Sequence, residues 1–352
     1  MSINDETLRL ARALRIRIDK DVDATVRAIV QSWARAWDEL HATWSDAMMD
    51  LAQASTDGNW PSPWVIARAE RAQAALAATM DSIVDLANFT GVTIIDKVGN
   101  VIEAVDPALA EILASQLPPL ERAKIAATFN RLDELALDAM VNRTRQIITS
   151  DTRRLSRQAQ DQMRRVLIRG VAVGDNPRVA AAEMLRRVEG AFNGGLTRAM
   201  VIARTEMLDA HREAARGWRV GNADVCTGWT WLAQLDRRTC PSCWAKHGSH
   251  HDIAEQGPED HQQGRCTAVP TSKTWKQLGF DIDEPESLMP DARKVFDAMP
   301  RKDQLAVMGP ARLKMLDDGD LDLPHLTQLK STPGWRDSWV TTPVKDLRAR
   351  IA

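Results

Sequence analysis

The sequence predicts a mainly α-helical protein with one small α+β module set into its second half. Three observations carry that prediction. Long stretches of the first 220 residues repeat apolar side chains every three or four positions, as one face of a helix requires. Between Val225 and Leu235 the period drops to two and β-forming residues take over. Immediately afterwards, three of the four cysteines in the chain fall within residues 240–266.

Residues 1–119 are expected to form an N-terminal helical region. From Val22 the apolar positions Val26, Ile29, Trp33, Ala36 or Trp37, Leu40, Trp44, Met48 and Leu51 draw one stripe down a helix. Thr56-Asp57-Gly58-Asn59-Trp60-Pro61-Ser62-Pro63 breaks it. A second periodic segment, Trp64 to about Asn88, folds back as a long helical hairpin whose core takes Trp33, Trp37 and Trp44. Val92 to Val105 reads as a small β-hairpin around a Lys-Val-Gly-Asn turn.

Pro118-Pro119 ends a short helix and opens a central helical part, residues 120–220. Leu120 to Ile168 holds strong helix formers and neither Gly nor Pro, so one continuous helix is expected. Asn176 and Pro177 are the cap and first residue of the next helix. Gly190, Gly194 and Gly195 interrupt it before another helix from Leu196 to about Arg219. Arginines at 143, 145, 153, 154, 157, 164, 165 and 169 face only Asp151 and Asp161 in that stretch. Of these Arg153, Arg154, Arg157, Arg164 and Arg165 are candidate contacts for DNA phosphates or an acidic protein surface, although a solvated helix face has the same composition.

Residues 221–275 form the small module. Trp229 and Trp231 share one strand face, and Thr230 and Leu232 the other. The turn Cys240-Pro241-Ser242-Cys243 follows, then a polar loop over 244–263, then Cys266 leading a return strand to Pro270. A CxxC pair followed by a His and a further Cys is metal-ligand spacing, because each short pair spans two corners of a tetrahedron. Cys240, Cys243, His261 and Cys266 are the candidate ligands, and structural zinc is the expected ion, since three thiolates and an imidazole leave no coordination position open. The module therefore reads as a zinc knuckle. A thioredoxin-like redox role needs a strand before the CxxC and a helix starting at it, and Pro241 with the downstream His and Cys makes it the weaker reading. Asp236 and Arg238 are expected to brace the knuckle, the carboxylate through turn N–H groups and the guanidinium on the return strand. His247, His250 and His251 read as exposed, and Cys226 as a buried strand residue. Residues 276–352 complete the chain as a C-terminal tail of short helices.

Composition excludes several classes. Apolar residues at 44%, charged residues at 27% and a net charge of -2 are those of a globular protein, not of one that coats nucleic acid with its whole surface. The first residues lack the basic start of a secretory signal, and no run of about 18 apolar residues suggests a membrane span. Synthesis in the cytoplasm is the expectation. P-loop, dinucleotide fingerprint, GxSxG and HExxH motifs are absent.

In order, Ala203-Arg204-Thr205-Glu206, Trp229, Trp231, Asp236, Arg238-Thr239-Cys240, Cys243, Gly248, Pro258, His261, Arg265-Cys266 and Pro270 resemble the head morphogenesis family of tailed phages. That family comprises minor head proteins named after protein F of phage Mu. The lead-in Leu167 to Pro177 and the later Val295-Phe296, Met299-Pro300 and Met308-Gly309-Pro310-Ala311-Arg312 are similar as well, so the likeness spans about residues 120–350. The family pattern usually ends in His-Pro-x-Cys-Arg-Cys. Here the stretch is His261-Gln262-Gln263-Gly264-Arg265-Cys266, with glycine in place of the first of those cysteines.

The resemblance implies a low-copy minor capsid protein inside the phage head near the portal, acting in procapsid assembly and in DNA packaging or ejection, without catalysis. Its implied partners are the portal protein, scaffold or major capsid protein, and packaged DNA; no membrane is implied. It also marks Arg204 and Glu206, read as a buried ion pair tying the helices to the module, and Arg265 as support for it. Two alternatives come from other classes. His211-Arg212-Glu213 ahead of the CxxC suggests a zinc-dependent hydrolase of nucleobase-deaminase type, although Pro241 follows the first cysteine instead of preceding it. The arginine run suggests a DNA-binding module.

Overall fold

The computed structural model describes residues 3–55, 60–132, 134–169, 177–260, 264–332 and 335–351. It is mainly helical with a few short antiparallel strands. Helix α1 covers Asp5–Gln53. Asn4 caps it, its Oδ1 accepting from the Thr7 amide at 2.9 Å. The stripe from Val22 to Leu51 is buried, and Leu8, Ala11, Leu14 and Ile18 continue it upstream, which carries the helix to Asp5. After the short α2, Pro63–Ile66, helix α3 covers Glu70–Glu103. The expected hairpin is present: Trp44 Nε1 donates to Thr79 Oγ1 at 2.8 Å, and Arg71 pairs with Asp50 at 3.0 Å. Of the predicted break between its arms, Thr56 to Asn59 lie outside the described residues.

Five sequence expectations need correction. Val92 to Val105 is not a β-hairpin; α3 continues through it, and α4 begins at Val105 and ends at Ala114. Ile94, Val98, Val101 and Ile102 are buried at helical spacing. Their β-branched side chains cost a few tenths of a kcal/mol each in a helix, whereas burying each contributes about 1.5–3 kcal/mol. The segment from Leu120 to Ile168 is two helices, α5 at Arg122–Ala126 and α6 at Glu134–Arg169. Here long-range hydrogen bonds replace the helical ladder. The Asn130 amide donates to Asn222 Oδ1 at 2.8 Å, its Nδ2 donates to the Gly221 carbonyl at 2.7 Å, and Phe129 packs edge-on against Trp218.

Helix α7 runs unbroken over Pro177–Gly221, so Gly190, Gly194 and Gly195 do not interrupt it. The expected cap, Asn176, lies outside the described residues. Gly195 allows close approach: a Cβ there would lie 2.6 Å from Cη2 of the buried Trp33. Trp33 and Trp37 pack on Phe192, with ring centroids 5.0 and 5.3 Å apart.

Strand β1 (Cys226–Leu232) leads through a tight turn into helix α8, Pro241–Lys246. Strands β2 (His250–Asp252) and β3 (Thr267–Ser272) pair antiparallel on either side of β1. The polar loop expected over 244–263 is therefore partly helix and strand, because Trp244 is buried and the α8 turn carries it inward. The expected helical tail contains α9 (Ala292–Asp297), α10 (Arg301–Asp317, kinked at Gly309), a 3-10 turn at Leu323–Leu326 and α11 (Val344–Ile351). It also contains an antiparallel pair, β4 (Thr327–Thr332) and β5 (Trp335–Thr341), which the helical reading lacked. Trp244 anchors the tail, packing edge-on against Phe296 within a core of Met308, Leu313, Leu316, Leu326 and Leu347.

The chain folds into two compact units, each assembled from separated stretches. One comprises Met1–Asp19, Asn100–Met140 and Leu208–Ala352, and includes the whole β module. The other comprises Lys20–Gly99 and Val141–Met207.

Candidate metal centre

The turn after β1 is built by Asp236. Its Oδ1 accepts from the Arg238 amide and from Thr239 Oγ1, both at 2.9 Å, and Thr239 Oγ1 accepts from the Asp236 amide at 3.1 Å. Arg265 grips the same carboxylate with both terminal nitrogens, at 2.7 and 3.0 Å. These bonds, Arg265 first, hold the Asp236 carboxyl down at about 2. The brace thus joins the CxxC turn to the residue beside Cys266. It differs from expectation in one residue: the Arg238 side chain is exposed and only its backbone joins the turn, while Arg265, beside the return strand, supplies the guanidinium.

Cys240 caps α8. Its backbone is extended, Pro241 follows at the first helical position, and its Sγ accepts from the Cys243 amide at 3.4 Å. Cys243 and Cys266 are buried among Trp229, Trp231, Ala233 and Ala268. In β3's register with β1, Thr267 pairs with Leu232, which returns Cys266 to the base of the turn that carries the CxxC. All of these cysteines are free thiols. The Cys243 thiol is pushed far above its ordinary value, first by contact with Cys240, then with Cys266, then by burial.

A fourth group joins them, one that the sequence reading missed. One donor atom each from Cys243, Asp260 and Cys266 lie within 4.8 Å of one another, and all three residues are buried. A tetrahedral zinc ion with Zn–S bonds of about 2.3 Å holds its donors about 3.8 Å apart, so a donor set this convergent fits such an ion. The acid next to His261 was the available signal, but nothing in a single sequence says which way a carboxylate faces. Of the predicted ligands, Cys243 and Cys266 join this group, Cys240 touches Cys243 but stands outside it, and His261 lies outside the described residues.

Asp260 is held in turn by Arg212, whose Nη2 lies 2.5 Å from Oδ1, while Nη1 pairs with Asp209 at 2.7 Å. Both members of the Arg212–Asp260 pair are almost wholly buried. Burial works against the Arg212 charge, but Asp260 and Asp209 outweigh it and raise its pKa. Such a hydrogen-bonded carboxylate is the usual setting of a metal ligand.

The remaining predicted residues sit elsewhere. Arg204 pairs with Asp23 at 3.0 Å, because two residues along a helix point to different faces and Arg204 cannot meet Glu206; Glu206 is buried. Glu213 is bonded to Arg216 at 2.6 and 3.1 Å, and His211 is buried with burial, then Arg15, driving its pKa down to about 3. Neither joins the donor group formed among the described residues. His247 is structural, since its Nδ1 accepts from the Ala233 amide at 3.1 Å and its Nε2 lies 3.0 Å from the Pro290 carbonyl. His251 stacks on Trp229 at 4.2 Å, while His250 is exposed as expected. Cys226 is a buried strand residue, as read. Arg153, Arg154, Arg157, Arg164 and Arg165 line the exposed side of α6, opposite the buried Ile148, Leu155, Ala159 and Met163.

No helix among the described residues is long and apolar enough to cross a membrane. Residues 138–269 match the family described as Phage Mu protein F like protein. The matched segment runs from α6 into β3 and contains the whole cysteine cluster, so the resemblance read from the motifs holds there and supports a phage head morphogenesis family. No curated protein and no solved structure matches the chain.

Proposed function

We propose that this chain is a minor capsid protein of a tailed phage, placed inside the head near the portal, where it acts in procapsid assembly and in DNA packaging or ejection. The observation that carries the reading is the family match over residues 138–269, which takes in both the arginine-rich helix α6 and the cysteine module. The partners we propose are the portal protein, scaffold or major capsid protein, and packaged DNA. In this reading the exposed arginines of α6 contact acidic surfaces or phosphates, since guanidinium groups pair bidentately with both. The protein works by binding, without turnover.

The cysteine module would hold structural zinc through Cys240, Cys243 and Cys266. Bound there, the ion would cross-link the CxxC turn to β3 and so tie the two sides of the β unit together. Asp236 and Arg265 hold the two sides of that cross-link in place before the ion arrives.

The test is quantitative protein analysis of purified heads and procapsids, together with capture of tagged portal protein from infected cells. The reading expects this chain in the heads at low copy and recovered with the portal protein. Heads that lack it, or its presence only in the host lysate, would refute the placement.

A further inference from the structure

We infer that Asp260 supplies the fourth ligand of the metal centre, the place the sequence assigned to His261. The inference rests on reading the sulfur cluster as a zinc site, and three features of the structure carry it. First, a carboxylate oxygen of Asp260 already lies within 4.8 Å of both the Cys243 and Cys266 sulfurs, and its side chain is fully buried. Second, Arg212 pairs with Oδ1 and the Cys266 amide donates to Oδ2 at 3.4 Å, so the carboxylate is oriented beside the sulfurs by its neighbours.

Third, Gly264 makes room. A Cβ built at Gly264 would overlap Oδ2 and Cγ of Asp260. The carboxylate therefore occupies the volume into which any side chain at 264 would project, including that of a cysteine. Glycine at 264 and aspartate at 260 act as a pair: the first gives up a side chain and the second fills its place with an oxygen donor. With Cys240 turning in from its contact with Cys243, a site of three thiolates and one carboxylate would keep the four-coordinate, closed character of a structural zinc centre.

The experiment uses the full-length protein loaded with zinc, or with cobalt(II) as a spectroscopic probe. Metal per chain and the cobalt absorption spectrum are compared for wild type, His261→Ala, Asp260→Asn, Asp260→Ala and Asp260→Ala/Gly264→Cys. The expected result is one metal per chain in wild type and in His261→Ala, with identical cobalt ligand-field bands. Asp260→Asn and Asp260→Ala are expected to weaken metal binding by about tenfold or more and to change those bands. Asp260→Ala/Gly264→Cys removes the clash and provides a fourth sulfur, so it should restore binding with a stronger sulfur-to-cobalt charge-transfer band. That variant keeps the test open should Asp260→Ala alone fail to fold. A shifted spectrum or lost metal in His261→Ala would overturn the inference, as would an Asp260→Asn protein indistinguishable from wild type. Wild-type protein that binds neither metal would instead remove the zinc reading itself.

Discussion

Two glycines of α7, Gly190 and Gly195, are expected to respond differently to the same substitution, and the difference can be worked out from the distances around each. Replacing glycine by alanine inside a helix contributes about 1 kcal/mol of stability where the methyl group meets nothing. Gly190 is such a position, with no atom within 4 Å of a built Cβ. At Gly195 the methyl group would lie 2.6 Å from Cη2 and 2.9 Å from Cζ3 of Trp33. Carbon pairs rest at about 3.5–4.0 Å, so the overlap is about 1 Å. Trp33 is fully buried against Phe192 at 5.0 Å and has little room to retreat. Overpacking of this kind costs about 1–3 kcal/mol, which offsets or exceeds the helix gain. Gly190→Ala should therefore raise the urea midpoint, followed by tryptophan fluorescence, whereas Gly195→Ala should lower it or leave it unchanged. The gap between the variants is expected to be about 1–3 kcal/mol, and adding Trp33→Leu should let Gly195→Ala become stabilising. If Gly195→Ala stabilises the wild-type chain as much as Gly190→Ala does, the close approach of α7 to Trp33 is wrong.

Three further outcomes are expected. The unfolded chain binds a proton at His211 below about 6.5, and the folded protein resists it down to about 3. Stability is therefore undiminished above pH 6.5 and falls as pH drops toward 3. Between pH 7 and pH 5 the loss from this one group is about 2 kcal/mol, and urea titrations of His211→Gln should show a correspondingly flatter pH dependence. Arg212→Met removes the cation from two buried or half-buried carboxylates, so metal-free protein should lose about 3–5 kcal/mol in urea unfolding; an unchanged midpoint would contradict the buried pair. If α6 meets packaged DNA, Arg153→Ala/Arg154→Ala/Arg157→Ala should reduce the slope of log affinity against log salt by about one for each phosphate left without its arginine, measured by fluorescence anisotropy on duplex DNA.

Much of the architecture was legible because it is written in local periodicity. The apolar stripe from Val22 to Leu51 needs only the helical repeat, and the alternation around Trp229 and Trp231 needs only the pleat of a strand. The same logic failed where distant partners outweigh local preference. Val92 to Val105 carries β-forming residues, yet burial of Ile94, Val98 and Val101 on one face makes it helix. Nothing near Asn130 breaks a helix in the sequence; its bonds to Gly221 and Asn222, some 90 residues away, do so in the fold.

By itself, then, the sequence determined that the chain is mostly helix, that a CxxC turn stands between two strands, and that Cys266 returns to that turn. These are properties of spacing, and spacing survives without a structure. Tertiary structure alone decided which charged groups face one another. It gave Asp236 to Arg265, Arg204 to Asp23 and not to Glu206, and Asp260 to both Arg212 and the sulfurs. It also put the Asp260 carboxylate into the space that a side chain at 264 would fill. A glycine in a sequence reports only the lack of a side chain, and what fills the space is fixed by whichever distant group packs into it.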